Sequence, residues 1–135
     1  MRSDQLFFQP FLKRDDFLNK YKLIDITLDT FPYSGGTTSL ESNWMGVPVL
    51  TKKGDYFISK STESINKNIG LNDWIANDES DYINKAVNFS NNLNFLQSVK
   101  TYLLKNRETF AVFDSKDFAK QMSNAFKKLI IKKNA

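Results

Sequence analysis

The stretch from Asp25 to Thr51, DITLDTFPYSGGTTSLESNWMGVPVLT, dictates a strand, a glycine turn, a helix and a second strand in immediate succession. Ile24, Ile26 and Leu28 alternate with Asp25, Thr27 and Asp29 at the period of a strand, and Pro32 forbids further regular pairing, so the strand ends near Phe31. Ser34-Gly35-Gly36 follows, where two glycines let the backbone turn tightly and approach a partner with no Cβ in the way. Thr37 or Thr38 then predicts the N-cap of a helix running to about Met45, with Glu41 three residues after Thr38 completing a capping-box pattern. Gly46 stops that helix, and Val47 to Thr51 is a short apolar run that reads as a buried parallel strand.

A strand feeding a glycine turn and a helix leaves unpaired backbone N–H groups and the positive end of the helix dipole at the carboxyl edge of a sheet. Anions bind in such places, and ligands of open parallel sheets generally sit at that edge. The spacing is neither G-x-G-x-x-G nor a Walker motif, so a dinucleotide site and a P-loop are both unsupported. Two readings stand at this point: a phosphate-binding turn, or glycines that only make a tight connection.

The rest of the chain predicts a single α/β domain over residues 1–135, a Rossmann-like parallel sheet of about four strands with flanking helices and a helical C-terminal segment. Gln5 to Leu12 reads as the first strand, apolar on both faces. Lys13 to Asp16 leads into a helix with Phe17, Leu18, Tyr21 and Leu23 turned inward. Ser59 or Ser61 caps a helix to Asn68 with Gly70 as its stop, Asn72 to Ala76 is a short edge strand, and Glu79 to Asn88 is helical. Phe95, Val99, Tyr102 and Leu103 form one helical stripe, and Phe118, Met122, Ala125, Phe126 and Leu129 form another that reads as core rather than cofactor site. Trp44 and Met45 read as core on the sheet side of their helix.

Composition removes whole classes of chemistry. With no cysteine there is no thiolate metal site or disulfide, and with no histidine there is no imidazole base and little prospect of zinc. The formal charge of +4 comes from 19 basic residues scattered among 15 acids, which argues against a nucleic-acid footprint. No run reaches membrane-spanning length and no apolar leader opens the chain, so the expected setting is the cytoplasm, with no membrane partner.

The run DTFPYSGGTTSLESNWMGVPVLT, continued by Gly54, Phe57-Ile58-Ser59 and Gly70-Leu71, closely resembles the C-terminal lobe of protein O-linked N-acetylglucosamine transferases, in particular bacterial members that carry tetratricopeptide repeats. That family shows an LDTFPYNGGTT turn, a D/E-A-L-W-M-G-V-P-V helix and strand, and a later S-R helix. Some animal members carry a histidine at the position of Gly36, so this chain follows the bacterial form. The resemblance extends from about Leu6 to the C-terminus and implies the nucleotide-sugar-binding lobe of a two-lobed glycosyltransferase B fold, whose closing helix commonly crosses to the other lobe. A chain of 135 residues is too short for both lobes and therefore reads as part of an enzyme.

The resemblance implies roles residue by residue. Gly35, Gly36, Thr37 and Thr38 lie where the family's turn contacts the pyrophosphate. Glu41 matches an acid on the ribose hydroxyls; its other reading is the capping box. Arg14 matches a lysine that reaches the phosphates, and a planar guanidinium serves there too; its other reading is a solvated cation before a helix. Phe17 stands where the family has a histidine stacked on uracil, keeping a π face and losing a hydrogen bond, against a reading as core. Lys20 matches a basic position, and Lys60 falls on the S-R arginine with no role attached. The implied activity is inverting, metal-independent transfer of N-acetylglucosamine from its uridine diphosphate carrier to a protein serine or threonine hydroxyl. No cofactor and no metal site are expected, and no catalytic residue in this chain, because the acceptor-positioning groups belong to the missing N-terminal lobe and repeats. A free-standing, non-catalytic module that binds uridine diphosphate (UDP) or a protein partner is the alternative.

Overall fold

The structure, a computed structural model, describes residues 3–133. Its elements in chain order are α1 (Arg14–Lys20), β1 (Thr27–Leu28), α2 (Thr37–Trp44), β2 (Val49–Lys52), α3 (Ser61–Asn68), β3 (Ile75–Ala76), α4 (Glu79–Ser90), α5 (Leu93–Asn106) and α6 (Ser115–Lys133). Single 3-10 turns at Ser3–Gln5, Tyr21–Leu23, Phe57–Ser59, Asn72–Trp74 and Ala111–Phe113 link them. The sheet is parallel with order β1-β2-β3, Thr27 opposite Val49 and Thr51 opposite Ile75. Helices α2 and α3 are the crossovers that parallel pairing demands.

The sheet has three strands among the described residues, not four. Gln5 closes a 3-10 turn and residues 6–13 have no regular structure, leaving Phe7, Phe8 and Phe11 exposed. An apolar run becomes a buried strand only where other elements cover it on both faces, and none of the described elements does so here. The expected strand ending near Phe31 shortens to β1 for the same reason: Ile24 and Leu28 are exposed, although the Thr27 and Asp29 amides still donate to the Pro48 and Leu50 carbonyls at 3.0 and 2.9 Å.

Behind the sheet, Leu50, Ile65, Ile69, Leu71, Trp74, Leu96, Val99, Leu103 and Phe110 close one apolar cluster, so α5 delivers its predicted Val99 and Leu103 together with Leu96. Both predicted glycine stops are real. Gly46 and Gly70 adopt φ of +83° and +77°, a conformation that L side chains rarely take, and the amides after them fold back onto the Ser42 and Asn66 carbonyls.

Several local expectations change. The N-cap of α2 is Gly36, with neither threonine capping, and the predicted box with Thr38 does not form because Glu41 turns to another partner. Helix α3 starts at Ser61 without a side-chain cap, while the Ser59 hydroxyl donates to the Tyr56 carbonyl at 2.9 Å. Trp44 and Met45 are half-buried; the sheet side of α2 carries Ser39, Ser42 and Asn43, and the Ser42 hydroxyl meets Thr27 Oγ1 at 2.7 Å. Trp44 instead lies against Phe113, ring centroids 5.0 Å apart. The α6 stripe is not core: Phe118, Met122, Phe126 and Leu129 are all exposed, since α6 leaves the body after the turn at Ala111–Phe113. Leu23 and Phe17 are exposed too, whereas Tyr21 alone of α1's predicted inward set is buried.

The glycine turn is fastened to the sheet by Asp29, just after β1. One carboxylate oxygen accepts from the Gly35 amide at 2.7 Å and the other from the Thr51 hydroxyl on β2, also at 2.7 Å. The Tyr82 hydroxyl on α4 donates to the Asp29 carbonyl at 2.9 Å. Asp29→Ala should lose roughly 3 kcal/mol in urea denaturation, since it strands a buried amide and hydroxyl, while Asp29→Asn should lose less; equal stability of the three proteins would remove Asp29 from this role. Burial, and after it the Asp29 charge, push the Tyr82 phenol up to about 12. An unfolded tyrosine titrates near about 10, so this contribution is complete below that pH and is lost as pH rises from there to the folded value. The stability advantage of the wild type over Tyr82→Phe should therefore shrink between about pH 9.5 and 12. A constant gap in urea midpoints across that range would contradict this.

Candidate functional site

Gly35 and Gly36 do different jobs. The Gly35 amide is used by Asp29 and its carbonyl accepts from the Thr62 hydroxyl at 2.9 Å, so its polar groups point inward. A Cβ on Gly35 would come within 2.3 Å of Ser39 Oγ, a close approach that only glycine permits. A Cβ on Gly36 would meet nothing within 4 Å, which makes Gly36 the open face of the turn. It leads directly into α2 with no side-chain hydrogen bond capping the helix N-terminus, and Gly36, Thr37 and Thr38 are all exposed. Amides in that position, with the aligned helix dipole behind them, favour negative charge.

Helix α1 runs beside this helix start. Arg14, its first residue, places Nη1 2.7 Å from Glu41 Oε1 on α2, with the arginine side chain 70% exposed and the glutamate 13%. Phe17 lies one turn further along the same face and Lys20 ends the helix. Beneath Phe17, the buried Tyr21 meets its ring edge-on, centroids 5.4 Å apart at 78°, and donates its hydroxyl to the Thr38 carbonyl at 3.3 Å. Burial, and then the nearby Glu41 charge, raise the Tyr21 phenol above its ordinary value.

The Arg14–Glu41 pair separates two cavities. One, of about 570 Å³, is bounded by Pro10, Phe11, Arg14, Phe17, Lys20 and Glu41; the other, of about 350 Å³, by Arg14, Leu18, Thr37, Leu40, Glu41 and Trp44. An exposed aromatic face, two cations, a half-buried carboxylate and an open helix start thus converge on one side of the domain. Such a set can hold a flat apolar ring, hydroxyl groups and an anion in sequence. No group of three acids, histidines or cysteines among the described residues is arranged to hold a metal ion.

Of the residues singled out from sequence, Arg14, Phe17, Lys20 and Glu41 share one cavity and Thr37 joins Arg14 and Glu41 in the other. Gly35 lies inward as a support, and Gly36 and Thr38 stay exposed on the turn. Lys60 is exposed just before α3, outside both cavities. Sequence reasoning missed Asp29, Thr51 and Thr62 as the supports of the turn, and took Tyr21 for plain core. One signal was available: an acid at the carboxyl end of a strand, six residues before a glycine pair, is placed to accept from a turn amide.

Comparison with known proteins adds an independent line. The sequence matches the family described as "Glycosyl transferase family 41" over residues 1–122. It is 30% identical over 118 residues, 87% of this chain and 13% of the other, to the protein of Solanum lycopersicum named "Probable UDP-N-acetylglucosamine--peptide N-acetylglucosaminyltransferase SPINDLY". The protein of the same name in Oryza sativa subsp. japonica is 32% identical over 114 residues, 84% of this chain and 12% of that one. Among solved structures, a mutant form of the Thermobaculum terrenum O-GlcNAc transferase superposes with a TM-score of 0.82 at 33% identity, over 87% of this chain and 22% of that chain. The chain therefore spans about an eighth of the length of these plant relatives. A match of this extent, agreeing with the parallel sheet and the turn built on it, places the chain in glycosyl transferase family 41.

Proposed function

We propose that the chain forms the donor-binding wall of an inverting, metal-independent glycosyltransferase that takes N-acetylglucosamine from UDP-GlcNAc and transfers it to a serine or threonine hydroxyl of a protein. The observation that carries this reading is the 2.7 Å contact between Arg14 and Glu41, which brings the cation of α1 and the carboxylate of α2 together over the two cavities. The plant relatives, named probable UDP-N-acetylglucosamine--peptide N-acetylglucosaminyltransferases, support the choice of donor and acceptor.

In this reading the uracil lies on Phe17, and the ribose hydroxyls donate to Glu41. The diphosphate meets the exposed turn at Gly36, Thr37 and Thr38, while Gly35 holds the turn in shape. Arg14 moves from Glu41 to the phosphates, and Lys20 adds positive charge nearby. As the bond to the sugar breaks, negative charge builds on the departing UDP, and fixed amides, hydroxyls and cations offset it without a metal ion. The chain contributes leaving-group stabilisation and no catalytic base; the groups that position the acceptor belong to a further lobe and repeats.

Two measurements test this. Gly36→Val should reduce UDP affinity by about tenfold or more, measured by calorimetry, and leave the melting temperature almost unchanged, because its side chain enters the open space where the diphosphate would lie. Unchanged affinity would return the glycines to the role of a tight connection. With only one wall of a cleft to bury the ligand, the purified chain should bind UDP weakly and transfer no radiolabelled sugar to peptide; transfer by this chain alone would place catalytic groups within it.

A further inference from the structure

We infer that Tyr21 is a positioning residue of this site, holding α1 in register with the glycine turn while Arg14 and Glu41 exchange each other for ligand. The inference rests on the donor-site reading above. Two polar contacts among the described residues tie α1 and the turn after it to α2: the Arg14–Glu41 ion pair and the hydrogen bond from the Tyr21 hydroxyl to the Thr38 carbonyl. They differ in permanence. The first joins an exposed arginine to a glutamate only 13% exposed, and is made by the two side chains that the ribose and phosphates would engage, so an arriving ligand replaces it. The second is made by a residue only 7% exposed, to a backbone carbonyl, and survives occupation of the site.

The same ring sets the platform for the base. The Tyr21 and Phe17 rings meet edge-to-face at 78°, a pairing that limits how Phe17, itself 40% exposed, can rotate. A stacking residue already held in place loses less freedom when a base lands on it. The phosphate end depends on Tyr21 less: Asp29 and Thr62 hold Gly35 from the opposite side, and Arg14 reaches the phosphates on a long, exposed side chain that absorbs a small shift of α1. Tyr21 should therefore govern chiefly the part of the affinity that comes from the nucleoside, and change the part that comes from the diphosphate much less.

The test is a pair of NMR titrations, one with UDP and one with inorganic pyrophosphate, on the wild-type chain, Tyr21→Leu, Tyr21→Phe and Phe17→Leu. Tyr21→Leu should weaken UDP about tenfold and pyrophosphate by less than about twofold. Tyr21→Phe keeps the ring and loses the hydroxyl, and should recover about half of that loss on a logarithmic scale, leaving UDP about threefold weaker than wild type. Adding Tyr21→Leu to Phe17→Leu should weaken UDP no further, since the two rings act as a unit. If Tyr21→Leu loses its dispersed spectrum, Tyr21→Phe decides: unchanged UDP affinity overturns the inference. Parallel loss of UDP and pyrophosphate in a folded Tyr21→Leu, or no loss of either, overturns it as well. A wild-type chain that takes up neither ligand removes the donor-site reading itself, and the role of Tyr21 with it.

Discussion

The Asp29 carboxylate is the fixed point of the domain. It takes one hydrogen bond from the turn and one from the middle strand, at 2.7 Å each, so the end of β1, the start of α2 and the end of β2 are held by a single buried side chain. A charged acceptor is well suited to this place, because hydrogen bonds to an ionised oxygen are shorter and stronger than those between neutral groups. Burying a charge is costly when its lone pairs go unused, and here two of them have donors. Through the Gly35 carbonyl the same tie extends to Thr62, whose hydroxyl oxygen lies 2.9 Å from that of Ser39, so α3 is drawn in as well. The exposed arc from Gly36 to Thr38 is thereby stiff without any of its own polar groups being spent on the sheet.

Such stiffness matters for a surface that meets an anion. Amides that must first be ordered bind weakly, whereas amides already aligned by a helix and a buried clamp bind without that loss. The Arg14–Glu41 pair belongs to the opposite category. It keeps two charged groups close to where a ligand would want them: Arg14, 70% exposed, is free to swing away, while Glu41, 13% exposed, gives it up readily only when ligand hydroxyls take its place. The site thus joins a rigid half, made by the turn, to an exchangeable half, made by α1.

Much of this was legible in the residues. The strand, turn, helix and strand of the central stretch are written in local chemistry: alternation before Pro32, two glycines, then Gly46 at the helix end, each of which acts within a few residues of itself. Arg14, Phe17, Lys20 and Glu41 were found through the family resemblance, since no local rule brings residue 14 beside residue 41. What stayed hidden depended on distant partners. The capping box at Thr38 was a sound local pattern that lost to an ion pair with another helix. The stripes at Leu6 to Leu12 and along α6 were apolar enough to be core, but apolar residues are buried only if something arrives to bury them. Tyr21 looked like any inward aromatic, and the destination of its hydroxyl, 17 residues away, is a tertiary fact.

The short first strand has one more implication, for how the chain behaves in company. Among the described residues β1 pairs with β2 only, so its outer edge offers unpaired amides and carbonyls, and earlier in the chain, before α1, lie the exposed rings of Phe7, Phe8 and Phe11. Natural sheets protect such edges with charge, proline or a covering element, because an unprotected edge recruits strands from other molecules. A concentrated solution of this chain is therefore a race between folding as a monomer and growth of the sheet from molecule to molecule. Lys13, Lys20 and Lys22 stand between those rings and β1 in the sequence, and the repulsion between like charges that they supply fades as salt screens them.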